Sequence, residues 1–499
     1  MAKKDNRIKY NLLSGVVYQV VLIVLSFLLP RLYLENFGSE VNGVLSTIKQ
    51  VFTYMCLLEA GIGLATTQAL YKPVAEKNHK ATSAIVSATN IYYFKTGIIY
   101  SVIVLLIAVI YAYVVPTSIA PHILFTLIIL NALPALFSYF VQAKYRILLE
   151  VDGRKYVITN SETVLNLLAN VGKILVLLLT DSLVLIQLVY CVLALVQLTY
   201  IYIHAKRRYK WLNVKEEPNF EAISQRKSVL VHQISGMVFN NTDVLLLSVL
   251  CNFKLVSVYT IYNIFFSQVQ AFITSITSGF SFALGQMFHT DKKKFLTVYN
   301  VYETFYIMST FIIYTLMAVF LLPLIQIYTK GIHDADYTNV YLVFLFVIMN
   351  LLSNGKLPSN HVLEFSGKFE ETRSHAIWEM TINIVVSIVA ILKWGICGAI
   401  LGTIVALLYR GTMMIYYSNK KVLERGMFHT YKIWLVNGGV FALVMAIFFV
   451  DSFSGLSFVK LLLKGITHAI WIVPLYIVAN LLFFRGAFKN LFELWRNRK

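Results

Sequence analysis

The sequence contains few charged residues, and this excludes a soluble globular protein. Charged residues make up 13% of the 499 positions and hydrophobic residues 58%, with a mean hydropathy of +0.70. A soluble domain usually carries about twice that charged fraction. Apolar runs of about 20 residues recur from end to end, and each is long enough to cross a bilayer as a helix. The composition therefore predicts an all-α polytopic membrane protein.

The sequence also lacks the common signatures of metal, disulfide and nucleotide chemistry. Its four cysteines lie in or beside apolar runs without CxxC spacing, which indicates neither disulfides nor a zinc site. The ATP-binding pattern GxxxxGK[ST] is absent, and so are HExxH and GxSxG. The loops expected outside the membrane are too short to hold the active site of a glycosyltransferase or polymerase. We therefore expect a secondary-type transporter with no cofactor, and not an enzyme.

Fourteen membrane spans are predicted from the apolar runs. They lie at roughly 10–30, 44–70, 86–114, 122–142, 159–179, 183–203, 229–250, 256–279, 302–325, 339–357, 374–392, 395–417, 433–450 and 460–483. The longest connection, an interlobe loop at 205–228, separates a six-helix lobe at 1–204 from a second one at 229–420. Residues 421–499 add two further helices and a basic tail. Two lobes in the same orientation are a common plan among transporters.

Positive charge is concentrated in the loops on one side of the predicted spans. The formal charge is +19, and most of the 43 Lys and Arg residues fall in these loops. The positive-inside rule places such loops, and with them both termini, in the cytoplasm. The excess of positive charge is therefore a topology signal, and we expect no nucleic-acid partner.

Span five carries polar side chains along one face. At about 100° per residue, this face holds Glu162, Asn166, Asn170 and Lys173. A face that contacted lipid would not line up such groups, so we expect it to look onto a partner helix or a watery cavity. Lys173 lies too deep to reach the interface easily, and we expect it to line a substrate cavity with Asn166 and Asn170. Lys49 in span two is a less central candidate, because it can also extend toward the membrane surface.

Span seven holds a carboxylate, Asp243, within the apolar segment GMVFNNTDVLLLSVL. A charge is costly in lipid, so such a residue is a candidate for function. Its use stays open between a structural hydrogen bond, a pair with a cation such as His232, and a site for a transported ion. If spans eleven and twelve meet span seven, Glu379, Asn383 and Thr403 would supply further oxygen ligands.

Span twelve contains two more features. Gly398 and Gly402 form a GxxxG pattern, which favours close packing of helices. Arg410 lies near the inner end of the span, and we expect its side chain to extend to the membrane surface.

Several blocks of sequence carry a resemblance to a known family. They are LLEAGIGLATTQALYKPVAEKN at 57–78, LLEVDGRKYV at 148–157, HQISGMVFNNTDVLLLS at 232–248, SVYTIYNIFF at 257–266, SGKFEETRSHAIWEMTINIVVSI at 366–388 and GICGAILGT at 395–403. In order and spacing they resemble the polysaccharide-transporter family. These are the Wzx-like flippases of the multidrug/oligosaccharidyl-lipid/polysaccharide exporter superfamily, whose usual plan is two six-helix lobes plus two C-terminal helices.

The resemblance implies a flippase in the bacterial cytoplasmic (inner) membrane. Its substrate would be an undecaprenyl-pyrophosphate-linked oligosaccharide, turned from the inner to the outer leaflet for capsule or O-antigen export. Membrane lipid and the polysaccharide assembly machinery, such as a polymerase and glycosyltransferases, would be its partners. Some members of the superfamily have a sodium or proton site in the second lobe, which would correspond here to Asp243, Glu379, Asn383 and Thr403. No metal beyond a transported sodium ion is expected.

Three alternatives remain open at this point. A multidrug/cation antiporter of the same superfamily shares the fold but usually has twelve spans. A peptidoglycan-precursor flippase differs mainly in its cargo. A membrane polymerase or ligase is disfavoured by the short outer loops.

Overall fold

The computed structural model describes residues 2–59, 62–223, 226–366, 369–448 and 457–496. Regular structure throughout these residues is helical, and no strand occurs among them. Backbone N–H and C=O groups cannot hydrogen-bond to lipid, so a chain that crosses a bilayer satisfies them within helices. The predicted all-α fold class is confirmed.

Two compact units divide the chain, Met1–Asn241 and Thr242–Lys499. The helices of the first unit are α1 (Ala2–Met55), α2 (Ile62–Ala75), α3 (His79–Tyr113), α4 (Pro121–Phe137), α5 (Ala143–Val151), α6 (Lys155–Leu179) and α7 (Leu183–Arg208). Helix α8 (Arg226–Leu250) contains the boundary between the units. The helices of the second unit are α9 (Phe253–Thr290), α10 (Lys292–Tyr328), α11 (Val340–Gly355), α12 (Leu357–Phe365), α13 (Phe369–Trp394), α14 (Ile396–Tyr416), α15 (Phe428–Phe448), α16 (Phe458–Phe483) and α17 (Arg485–Arg496). The finer predicted division, at 204, 228 and 420, stays a prediction.

The helices account for the predicted membrane spans. In the described residues, ten helical segments are long and apolar enough to cross a membrane. The first predicted span lies on α1, which bends at Gly38 (φ +77°), and the second covers the end of α1 and most of α2. Spans seven and eight lie on α8 and α9. An even number of spans returns the chain to the side on which it began, as the prediction for the two termini requires.

Polar side chains fix several helix starts. Five residues precede a helix and accept a backbone N–H of its first turn: Asn78, Ser182, Asn252, Asp291 and Asn339. Such caps satisfy N–H groups that have no partner within the helix. Asp291 is also the single residue between α9 and α10, so two long helices are joined there without a loop.

Helices α13 and α14 approach each other to backbone contact. A Cβ atom added at Gly398 would lie 2.2 Å from the Ala390 backbone, and one at Gly402 would lie 2.1 Å from Ser387 Oγ. Gly395 forms the tight turn between the two helices with φ +54°, a conformation that residues with a side chain rarely adopt. The packing role predicted for the GxxxG pattern is confirmed.

Three spans change helix type or direction partway. Helices α11 and α12 form one span, Val340–Phe365, and meet at Lys356. A π-helical turn at Ser138–Gln142 joins α4 to α5, and a second one at Tyr417–Val422 extends α14. Because the helix continues beyond the predicted end of span ten at residue 357, Lys356 lies inside the span.

Gly398→Ala is expected to lower the melting temperature of the purified protein in detergent. The added Cβ meets backbone atoms of Ala390, which cannot rotate away, and overpacking of this kind typically costs about 1–3 kcal/mol. The control is Gly411→Ala on the same helix, because nothing lies within 4 Å of a Cβ at Gly411. Equal melting temperatures for the two variants would contradict the close approach of α13 and α14.

Candidate functional site

One face of α6 in the first unit carries the predicted polar stripe. Asn166 Nδ2 donates to the Glu162 carbonyl at 2.9 Å, and Asn170 Nδ2 donates to the Asn166 carbonyl at 2.5 Å. The Glu162 carboxylate pairs with Arg146 of α5 at 2.9 Å. Asn170 Oδ1 is buried and has no hydrogen-bond partner among the residues that the structure describes. A buried acceptor without a donor is costly, so this oxygen is a place where a ligand would gain a hydrogen bond.

Lys173 of the same helix has an aromatic neighbour. Its Nζ lies 4.7 Å from the centre of the Tyr190 ring, within cation–π range. Helix α1 packs against α6, and Lys49 of α1 is close enough to repel Lys173 electrostatically. Among the described residues, no ion pair joins either lysine to a carboxylate. This face of the first unit therefore presents uncompensated positive charge.

Asp243 of α8 lies in an enclosed group of hydroxyl and amide side chains in the second unit. The residue is 6% exposed. The Tyr259 hydroxyl on α9 donates to Asp243 Oδ2 at 2.9 Å, and the Thr403 hydroxyl on α14 lies 3.2 and 3.0 Å from the two carboxylate oxygens. Asn383 Nδ2 on α13 donates to Thr403 Oγ1 at 2.8 Å. Three of the predicted residues are thus together, and Tyr259 joins them.

These four residues, which we call the Asp243 cluster, bring several oxygen atoms close to one another. Within the described part of the chain Asn383 Oδ1 is buried without a hydrogen-bond partner, and the Ala399 carbonyl lies 3.3 Å from Thr403 Oγ1. Carboxylate, amide, hydroxyl and carbonyl oxygens suit a hard cation such as sodium. A proton on the carboxylate is the other way to neutralise it in an apolar setting. The cluster can therefore hold a small cation or a proton.

Glu379, which the sequence analysis groups with Asp243, belongs to a separate charged group. Its carboxylate lies 2.7 Å from Lys356 Nζ and 3.4 Å from Arg410 Nε, and none of the three side chains is more than 19% exposed. Arg410 also donates to the Thr372 carbonyl at 3.0 Å. We call these three charged residues the Glu379 triad. With two cations and one carboxylate it has a formal charge of +1.

The triad corrects one expectation and adds a residue. Arg410 is 8% exposed and pairs with Glu379, so the expectation that it extends to the membrane surface is wrong. Because Glu379 supplies a carboxylate inside the protein, the guanidinium of Arg410 does not have to reach the membrane surface. Lys356 could not be identified from the sequence, because the tripeptide KLP that begins at this residue resembles a helix end. Tyr259 is one of 31 tyrosines and gives no separate signal, while the side chain of His232 lies outside the described residues.

Comparison with known proteins finds relatives by structure. No protein-family model and no curated protein matches the sequence. The lipid II flippase MurJ, in an inward closed conformation, matches with a TM-score of 0.67 and 13% identity over 96% of this chain and 99% of that one. A multidrug resistance MATE family transporter of the MOP superfamily matches in its inward-facing conformation, with a TM-score of 0.61 and 12% identity over 86% of this chain and 96% of that one. The chain has the fold of these transporters.

An outward-facing MATE family transporter of the same superfamily also matches, with a TM-score of 0.58 and 13% identity over 82% of this chain and 96% of that one. The superfamily named by these structures is the one that the sequence blocks resemble. At 12–13% identity the likeness extends to the fold, while the family and the cargo stay predictions. These three matches are transporters and not enzymes.

Glu379→Gln is expected to destabilise the protein strongly. It leaves two buried cations without a carboxylate, and the loss of one partner of a buried ion pair typically costs about 3–5 kcal/mol. Adding Lys356→Gln should restore part of the melting temperature, because it removes one of the two cations. The control is Glu424→Gln, since Glu424 and its partner Lys292 are 75% and 61% exposed and such pairs contribute about 0–1 kcal/mol. A Glu379→Gln protein as stable as the control would contradict the triad.

Proposed function

We propose that this protein is a flippase for undecaprenyl-pyrophosphate-linked oligosaccharides in the bacterial cytoplasmic membrane. It moves the sugar headgroup from the inner to the outer leaflet by alternating access and so supplies units for a surface polysaccharide such as capsule or O antigen. A polymerase and glycosyltransferases of polysaccharide assembly would act after and before it.

The physics of the cargo explains why a protein is needed. Transfer of a single unpaired hydroxyl or amide into an apolar medium costs about 2–7 kcal/mol, and an unpaired charge costs far more. A headgroup with several sugars and a pyrophosphate therefore does not cross about 30 Å of hydrocarbon unaided. A polar cavity that opens to one side at a time removes most of this barrier, while the polyprenyl tail stays in lipid.

The sign of the charge within the spans is the observation that carries the proposal. Lys49 and Lys173 have no carboxylate partner among the described residues, and the Glu379 triad has one cation in excess. Uncompensated cations attract a pyrophosphate, to which ammonium and guanidinium groups donate strong hydrogen bonds. They would repel the cationic compounds carried by a drug/cation antiporter. Positive charge therefore favours an anionic, lipid-linked cargo.

A peptidoglycan-precursor flippase is the second candidate. The lipid II flippase MurJ matches this chain over nearly the full length of both proteins, which favours this reading. The chemistry asked of the protein is the same in both cases, since each cargo joins sugars to a polyprenyl pyrophosphate. The two candidates differ in the sugar that is carried.

Depletion of the protein in its own host tests the proposal and separates the two candidates. We expect lipid-linked oligosaccharide repeat units to accumulate on the inner leaflet while peptidoglycan precursors keep their normal level. Accumulation of peptidoglycan precursors alone would favour the second candidate. An unchanged level of every polyprenyl-linked sugar would contradict both.

Lys173→Ala is expected to abolish complementation of a strain that lacks the protein, at normal protein level. The substitution removes the cation that we place against the pyrophosphate, while Lys173→Arg keeps the charge and should retain part of the activity. Lys254→Ala provides the control, because Lys254 is an exposed lysine at the start of α9. Full complementation by Lys173→Ala would remove Lys173 from the proposed cavity.

We also propose that the Asp243 cluster couples flipping to a sodium or proton gradient, with Asp243, Asn383 and Thr403 as ligands. At present two hydroxyls donate to the carboxylate. A cation would require Thr403 to turn its proton away, and the Ala399 carbonyl 3.3 Å from Thr403 Oγ1 can accept it. An ion that binds inward-open and outward-open states with different affinity biases the equilibrium between them.

The remaining predicted ligand, Glu379, has a different place in this proposal. It lies one helical turn before Asn383 on α13, and its carboxylate is held by Lys356 and Arg410. We therefore assign Glu379 to the triad and not to the ligands of the ion site. It would affect that site only through α13, the helix that also carries Asn383.

Asp243→Asn is expected to remove the gradient dependence of flipping in reconstituted vesicles. The amide keeps the shape of the side chain but loses the charge that a cation or proton would neutralise. Thr403→Ser is the matched control, because it keeps the hydroxyl oxygen in the cluster and should keep the response to an imposed sodium or proton gradient. If Asp243→Asn folds and responds to both gradients as the wild type does, Asp243 has only a structural role.

A further inference from the structure

A cavity of about 490 Å³ lies where α10, α15 and the junction of α16 and α17 meet, within the second unit. Its lining includes His429, Lys432, Leu482, Phe483, Arg485 and Asn490. The basic loops on this side of the spans place the cavity at the cytoplasmic membrane boundary. None of the lining residues is acidic, so the cavity is cationic.

The cavity contains two basic residues, Lys432 and Arg485, whose charges stay available to a ligand. Among the described residues, neither Lys432 nor Arg485 pairs with a carboxylate. Lys432 Nζ lies 5.9 and 5.4 Å from the ring centres of Phe483 and Phe484, where it is attracted to aromatic faces but keeps its N–H donors. The amide of Asn490 on α17 adds polar groups to the lining.

One carboxylate beside the cavity, that of Glu303, is already neutralised. Glu303 is fully buried on α10, and its Oε2 lies 2.5 Å from an Arg425 guanidinium nitrogen and 3.8 Å from His429 Nε2. Thr430 donates to Glu303 Oε1 at 2.7 Å. Glu303 and Arg425 cancel, which leaves the charges of Lys432 and Arg485. The same contacts hold the start of α15 against α10.

The outer wall of the cavity is apolar. Leu482 and Phe483 are 57% and 56% exposed at the end of α16, where the membrane-facing surface of the span lies. Helix α17 has the sequence RGAFKNLFELWR, with apolar and charged residues on different faces, and its Phe488 packs against Phe305 of α10 with ring centres 4.8 Å apart. A helix of this kind lies in the membrane interface.

We infer that this cavity binds the headgroup of an anionic phospholipid of the inner leaflet. The phosphodiester would take hydrogen bonds from Lys432, Arg485 and Asn490, and the acyl chains would leave along Leu482 and Phe483. Basic pockets between helices on the cytoplasmic side commonly bind anionic headgroups. A free phosphate would form the same hydrogen bonds with the basic residues, but it has no acyl chains to pack against the apolar wall. The site is independent of the cargo, whichever lipid-linked sugar the protein carries.

The test is a binding titration of the full-length protein in detergent with phosphatidylglycerol and, separately, phosphatidylcholine, read by native mass spectrometry. In the double variant Lys432→Gln/Arg485→Gln, phosphatidylglycerol should bind about 30-fold more weakly, because each basic residue near a membrane surface adds about fivefold. The control Lys489→Gln/Arg496→Gln makes the same charge change on α17 outside the lining and should bind as the wild type does. Phosphatidylcholine should bind weakly to all three proteins.

Further arms separate a lipid site from other outcomes. If both double variants bound phosphatidylglycerol equally weakly, the loss of net charge would explain the effect, and the proposed site would be wrong. Competition by millimolar inorganic phosphate would indicate a small-anion site and overturn the lipid assignment. Asn490→Asp keeps both cations and adds a carboxylate to the lining, so it should also weaken phosphatidylglycerol binding. If the first variant fails to fold, unchanged binding by Asn490→Asp overturns the proposal by itself.

Discussion

An ionised side chain inside this fold gains a close partner only from the protein, because lipid offers none. In the second unit Glu379 lies between Lys356 and Arg410, and Asp243 accepts from hydroxyl groups. The contact between Asp243 and Thr403 joins residues 160 positions apart. Apolar surfaces discriminate poorly between a neighbouring helix and lipid, so contacts of this kind decide which helices are neighbours.

The two units differ in how they treat charge. In the first, Lys49 and Lys173 have no carboxylate partner among the described residues, and the Tyr190 ring is the close partner of Lys173. In the second, the Glu379 carboxylate of α13 is held by Lys356, where α11 meets α12, and by Arg410 of α14, so each charge of the triad has a close partner although one cation is in excess. The two lysines of the first unit can bind an anion, because no described carboxylate occupies them. The charged side chains of the second unit are held by one another. Binding of cargo and response to a gradient can therefore belong to different units.

Much of this arrangement can be predicted from the sequence, and the limits have physical reasons. Apolar length gives the spans, and helical spacing gives the face on which Asn383 lies. The grouping of Asp243 with Asn383 and Thr403 follows from requiring polar faces to meet. Periodicity does not give the depth at which two faces meet, so it does not separate Glu379 from Asp243, although Glu379 is only one turn from Asn383. It also does not reveal Lys356, because a bend that continues as a helix looks in sequence like a helix end.

The contact between Glu303 and Arg425 has a consequence during synthesis of the protein and its insertion into the membrane. The two residues are 122 positions apart, so α10 enters the membrane long before Arg425 is synthesised. Until then Glu303 has neither its guanidinium nor the Thr430 hydroxyl, and its carboxyl group is either solvated by water or protonated. Glu303 lies in the first third of α10, and in the predicted topology this end of the helix is the cytoplasmic one. Arg425 and Thr430, around the start of α15, then close the site, so a later part of the chain completes the surroundings of a side chain on a helix made earlier.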